Sequence, residues 1–135
     1  MSPAIDEVEK ELGPIRVLVN GQGIVGSQPV LMENYKNFWR TMETNTGSVS
    51  TALTKLIQHM ISILKVIPLM KARRKGTIIC VASRSGTVDL PTTFAYSVSK
   101  CAVIRAVGCL RVELDMEGLD IDLYALHPGV FRPTW

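Results

Sequence analysis

Residues 76–86 read Gly-Thr-Ile-Ile-Cys-Val-Ala-Ser-Arg-Ser-Gly, and this stretch decides the fold. From Thr77 to Ala82 the residues are β-branched or apolar without alternation, as in a parallel strand buried on both faces. Ser83 to Gly86 then switch to small and polar residues, the mark of a strand end opening into a loop, here one that runs through Pro91. Outward from this strand the pattern repeats. Downstream, about Phe94 to Glu117 reads as a helix stopped at Gly118, and Ile121 to Leu126 as a strand stopped by His127-Pro128-Gly129. Upstream, residues 15–19 form a strand that ends at Asn20-Gly21-Gln22-Gly23, preceded by a short helix between Ser2-Pro3 and Gly13-Pro14. Met32 to Ala72 is helical in composition, with a short helix around Tyr35 to Met42 and a long one after Asn45. Alternating strands and helices predict an α/β fold, a doubly wound parallel sheet with helices on both faces and right-handed crossovers.

The bulk properties narrow the function. A chain of 135 residues allows one domain or part of one. Its charge of +3 is spread along the sequence apart from Lys71, Arg73, Arg74 and Lys75, too mild for a nucleic-acid partner. That basic cluster reads as the solvated end of a helix, where positive charge suits the dipole. Cys80, Cys101 and Cys109 form no CxxC pair and sit in apolar stretches, so buried, reduced thiols are expected. No apolar window reaches the roughly 18 residues that span a bilayer. The expectation is a cytoplasmic protein without a membrane partner.

Tyr96 and Lys100 are four residues apart on the predicted helix and share a face. A tyrosine is a poor acid or base at neutral pH, but a neighbouring ammonium favours the phenolate, so the pair can shuttle a proton. Asn20, Ser83 and Pro128-Gly129 stand at the ends of three strands, and parallel pairing brings them and the Tyr96 helix to one rim. Other arrangements fare less well. His59 and His127 have no Cys, Asp or Glu at ligand spacing, so no metal is expected. Ser83 with His127 lacks the Gly-x-Ser-x-Gly elbow of a hydrolase.

The same residues carry a family resemblance. Leu18-Val-Asn-Gly-Gln-Gly-Ile24 resembles the Leu-Val-Asn-Asn-Ala-Gly-Ile strand end of the short-chain dehydrogenase/reductase family, matching at Asn20 and Gly23 and departing at Gly21 and Gln22. Thr44-Asn45-Thr46 resembles the segment holding that family's asparagine. Ser83 stands thirteen residues before Tyr96, the usual separation, and Tyr96-Ser-Val-Ser-Lys100 matches Tyr-x-x-x-Lys. Pro128-Gly129, with Val130, is similar to the segment that contacts the nicotinamide end of the cofactor, although Pro133 stands where the family has threonine.

The resemblance implies an NAD(P)-dependent oxidoreductase that interconverts a small-molecule alcohol and ketone, a chemistry the family often uses in secondary metabolism. It implies catalytic roles for Asn45, Ser83, Tyr96 and Lys100. Tyr96 passes the proton, Ser83 hydrogen-bonds the substrate oxygen, Lys100 supports Tyr96 and the nicotinamide ribose, and Asn45 holds a water of the relay. Cofactor contacts fall to Asn20, Gly23, Tyr96, Lys100, Pro128, Gly129 and Val130. NAD and NADP stay open, because the residue that reads the ribose follows a strand this sequence does not contain.

Three departures qualify the expectation. Full-length members are roughly twice as long and begin with a glycine-rich turn at a helix N-terminus, which holds the pyrophosphate. The sequence has no such motif, so it reads as the catalytic half of a Rossmann-type domain, truncated at both ends, its sheet left with an open edge and an uncovered face. Residues 56–65 read as an insertion, since deleting Leu56 to Lys65 restores the family's spacing from Asn45 to Pro68, and retained intron sequence would explain it. Ten helical residues turn the following face by about 80°, so this segment is expected to bulge out, or to extend the helix and double back. The rival to an enzyme is an inactive remnant acting as an interaction module, with a homo-oligomer through the long helices as the family's way of associating.

Overall fold

The computed structural model describes residues 3–21, 23–26, 28–46 and 58–129. In chain order they form α1 (Pro3–Glu11), β1 (Val17–Asn20), α2 (Tyr35–Thr46), α3 (Gln58–Arg73), β2 (Lys75–Val81), α4 (Phe94–Met116) and β3 (Asp120–Leu126), with single 3-10 turns at Val30–Met32 and Arg84–Gly86. The strands make one parallel sheet in the order β1-β2-β3. Register is continuous across it, with Leu18 beside Ile78 and Ile78 beside Leu123. This is the parallel α/β sheet expected from the alternating pattern.

Helix ends explain where the strands start. Gly118, at φ +63°, closes α4 as only glycine does without strain, and Leu119 N–H then donates to the Leu114 carbonyl at 3.2 Å while Gly118 N–H donates to Asp115 at 3.0 Å. Leu119 and Leu114 both join the core, so the turn is also packed. Arg73 and Arg74 do more than end a helix in water. Arg73 donates to both carboxylate oxygens of Glu9 and to the Ile15 carbonyl, and Arg74 donates to the Gly118 carbonyl at 2.8 Å. Glu9 also accepts from Ile15 N–H, and that bond, then Arg73, lowers its pKa.

The core lies on one face of the sheet. Ile78 and Cys80 of β2 and Ile121 and Leu123 of β3 pack with Ile63, Val66 and Met70 of α3 and Val103, Val107 and Leu114 of α4. Residues i, i+2 and i+4 of a strand share a face, so Val17, Val19, Tyr124 and Leu126 belong to the other one, and all four are exposed. Among the described residues, helix cover is therefore complete on one face only. Among the described residues the outer edge of β1 is open as well.

Three expectations need correction. Residues 58–65 do not bulge but extend a helix, forming the first half of α3, because Ile63 falls three residues before Val66 and seven before Met70, on one helical stripe. Leu64 is exposed, and residues 56 and 57 lie outside the described residues. Second, α2 runs on to Thr46 rather than ending at Met42, its last turn held by Thr46 Oγ1 donating to the Met42 carbonyl at 2.7 Å, so Asn45 is a helical residue. The long helix is described from Gln58, and residues 47–57 lie outside the description. Third, Cys80 is buried but Cys101 and Cys109 are exposed, since the buried stripe of α4 runs through Ala95, Ser99, Val103 and Val107.

Candidate active site

The strands end together at one rim. Asn20 closes β1, Ala82 and Ser83 follow β2, and His127, Pro128 and Gly129 follow β3. Ala82 N–H donates to the Leu126 carbonyl at 2.8 Å, carrying the ladder past the last strand residue. Between these ends and α4 lies a cavity of about 160 Å³ lined by Gly21, Gly23, Ser83, Tyr96, Lys100 and His127, among others, with Pro128 and Gly129 also on its wall.

Lys100 reaches the rim from α4. Its side chain is buried at 3% exposure, and Nζ donates to the Val81 carbonyl at 2.8 Å, directly beneath the Ser83 strand end. Nζ lies 5.8 Å from the Tyr96 ring centroid, as the four-residue spacing requires. Burial lowers the Lys100 pKa, opposed by the nearby Cys80 thiol. The same burial raises the Cys80 pKa, against a hydrogen bond from Asn20 and the Lys100 charge. Asn20, Cys80 and Lys100 thus form one buried polar cluster under the cavity floor.

Ser83 begins the turn at Arg84–Gly86. Its Oγ accepts from Ser85 N–H at 3.2 Å, which fixes the side chain at the cavity wall. The turn lies hard against α4. A Cβ on Gly86 would come within 2.8 Å of the Lys100 carbonyl carbon and 2.9 Å of Cys101 N, both backbone atoms that cannot swing away. Arg84 is exposed.

Asn45 is fully buried behind the loop that follows β1. Its Oδ1 accepts from Ile24 N–H at 2.7 Å, and its Nδ2 donates to the Ile24 carbonyl and to Ser99 Oγ, both at 2.9 Å. Both amide hydrogens are used within the protein. The loop is brought so close that a Cβ on Gly23 would sit 3.2 Å from Lys100 Nζ and 3.3 Å from Asn45 Oδ1.

The structure therefore gathers Gly23, Ser83, Tyr96, Lys100, Pro128 and Gly129 around one cavity, with Asn20 beside Cys80 beneath it and Asn45 behind the Gly23 loop. Val130 lies outside the described residues. Sequence reading missed Ser99, Cys80 and Gly86. Among the described residues, no cluster of three His, Cys, Asp or Glu could hold a metal, and no helix is long and apolar enough to cross a membrane.

Comparisons with known proteins identify the family and the fold. The short chain dehydrogenase family model matches residues 1–135. A short chain dehydrogenase of Pseudocercospora fijiensis is 33% identical over 127 residues, 93% of this chain and 37% of that one. The 2,3-dihydro-2,3-dihydroxybenzoate dehydrogenase of Bacillus subtilis is 30% identical over 84% of this chain and 41% of its own length. The crystal structure of an NAD+-bound xylitol dehydrogenase superposes with a TM-score of 0.78 at 26% identity, covering 97% of this chain and 46% of that one. The chain thus spans less than half the length of each of these relatives. With the strand order, the rim and the Tyr96–Lys100 pair already in place, the match over all 135 residues assigns the chain to the short-chain dehydrogenase family.

Proposed function

We propose that the chain supplies the catalytic half of an NAD(P)-dependent oxidoreductase that interconverts a small alcohol and its ketone. The observation that carries this is the cavity shared by Tyr96, Lys100 and Ser83, with glycines where a cofactor must approach closely. The residues fit the nicotinamide end of a dinucleotide. Any side chain at position 23 would press on Lys100, and a cavity of this size admits one ring-sized group.

When bound, the cofactor would supply or accept the hydride. The chain's own residues manage the proton and the oxygen. Tyr96 gives its hydroxyl proton to the carbonyl oxygen during reduction and takes it back during oxidation. The Ser83 hydroxyl donates to the same oxygen and stabilises the charge that develops there. Lys100, held by the Val81 carbonyl, keeps its charge beside Tyr96 and would reach the ribose of a bound cofactor. Asn45 acts from behind, its side chain occupied by Ile24 and Ser99. Pro128 and Gly129 would shape the cofactor wall, and Asn20 and Val130 stay proposed cofactor residues by the family resemblance.

One observation favours the rival reading of an interaction module, namely the exposed apolar face formed by Val17, Val19, Tyr124 and Leu126. Titration with NADH and NADPH, followed by nicotinamide fluorescence, separates the two. Saturable binding and ketone-dependent oxidation that falls about 10²- to 10⁴-fold in Tyr96→Phe is the expected result. A folded chain that binds neither nucleotide overturns it.

A further inference from the structure

The chain of hydrogen bonds behind the cavity includes one residue with no part in the proposed chemistry. Ser99 is fully buried on α4, between Tyr96 and Lys100. Its Oγ donates to the Tyr96 carbonyl at 2.7 Å and accepts from Asn45 Nδ2 at 2.9 Å. A serine hydroxyl has one proton, so the bond to Tyr96 fixes the rotor and leaves only lone pairs for Asn45. That orients the Asn45 amide: nitrogen toward Ser99, oxygen toward Ile24 N–H. Asn45 then grips Ile24 at both its N–H and its carbonyl. The gripped residue follows Gly23, the point of closest approach to Lys100, and precedes Val25 on the cavity wall.

A serine that merely bonds back to its own helix would need no partner elsewhere. Here the same hydroxyl joins α4 to α2 across 54 residues of sequence. We infer that Ser99 is a positioning residue: through Asn45 it holds the Gly23–Gly26 loop against Lys100 and so sets the cavity wall facing Tyr96. Its part in turnover rests on the dehydrogenase reading; its grip on the loop does not. The loop's far end packs closely on α2 at a separate point, where a Cβ on Gly26 would sit 3.2 Å from Thr41 Oγ1. Loss of Ser99 is thus expected to free the Ile24 portion rather than the whole chain.

The test compares wild type with Ser99→Ala, Ser99→Thr and Ser99→Cys in the full chain. Amide hydrogen exchange is read at Ile24 and, as a core reference, at Ile78, with the Lys100 side-chain ammonium followed by NMR. Ser99→Ala should speed Ile24 exchange by at least about tenfold, leave Ile78 unchanged and move the Lys100 signal. Thr or Cys, which keep a donor and acceptor, should restore part of each effect. In turnover, Ser99→Ala should lower kcat by about tenfold with KM for the ketone within about twofold, as a misplaced reacting group does. Unchanged Ile24 exchange, or equal acceleration at Ile24 and Ile78, overturns the inference. Wild type without turnover sinks the dehydrogenase reading alone, since the exchange and Lys100 signals still decide the grip.

Discussion

On one face of the sheet Ile78, Cys80, Ile121 and Leu123 are at most 4% exposed; on the other, Val17 and Val19 are more than half exposed. Both faces are drawn from the same β-branched and aliphatic residues. Their different burial comes from what α3 and α4 cover, since strand alternation alone makes the faces equivalent. The proposed chemistry lies on the covered face. Asn20 pairs in register with Cys80 on that side, and α4 carries Tyr96, Ser99 and Lys100 to its rim. Among the described residues, the chain thus builds one side of the candidate site and its support, while the opposite side of the sheet stays uncovered.

The comparison breaks most readily at the core. Ile78→Ala and Ile63→Ala should each lower unfolding free energy by about 2–5 kcal/mol in urea titrations. Ile63 is the sharper of the two, because it lies within the segment that spacing marks as an insertion. A cost below about 1 kcal/mol would mean the core closes without that segment, in favour of the insertion reading. Next in size is Gly86→Ala, expected to cost about 1–3 kcal/mol, because its Cβ meets the backbone of α4. The turn must retreat and carry Ser83 with it. Turnover should therefore fall further than stability alone accounts for, and unchanged turnover would detach Ser83 from the chemistry.

What the sequence revealed follows the same division. The strands were legible because unbroken runs such as Thr77 to Val81 end at Ser83-Arg-Ser-Gly86, and Tyr96 and Lys100 because four-residue spacing alone makes them neighbours. Ser99 was not, since a helical serine has no signature and its partner Asn45 is distant in sequence. Gly86 read as loop punctuation, although its reason is contact with α4. The uncovered face was expected from the family resemblance and could not have been read from composition. Strands of this kind predict cover on both sides, and exposure depends on what is present to pack there. Cys101 and Cys109 misled for a related reason, as apolar neighbours do not say which side of α4 they occupy.

A smaller effect concerns the polar cluster under the site. Burial holds the Lys100 pKa below its ordinary 10.5, so between the two values the unfolded chain binds more protons and stability rises with pH. The Cys80 pKa is raised above 9.0 by burial, so its contribution is complete below that value and is lost as pH climbs through the raised one. The two oppose each other in alkali and are separated by variants. Relative to Lys100→Met, wild type should gain stability as pH rises toward 10.5, while relative to Cys80→Ala it should lose stability as pH rises above 9.0. The lost Val81 bond in Lys100→Met adds only a pH-independent offset. A flat difference for Lys100→Met would mean the ammonium is hydrated in solution.

The smallest change belongs to the bare face. Val19→Thr keeps the β-branched shape, and with Val19 at 60% exposure it should alter stability by no more than about 0.5 kcal/mol. Its effect should appear in association instead. An exposed apolar face beside an open strand edge favours contact between copies, so Val19→Thr should lower the weight-average mass seen by sedimentation at high concentration. Ile79→Thr in the central strand serves as a check, because Ile79 is half-buried and has neighbours on both sides. If Val19→Thr costs more than about 1 kcal/mol, that face is covered in solution. The sheet would then have two packed faces, and the difference between them would belong to the isolated chain alone.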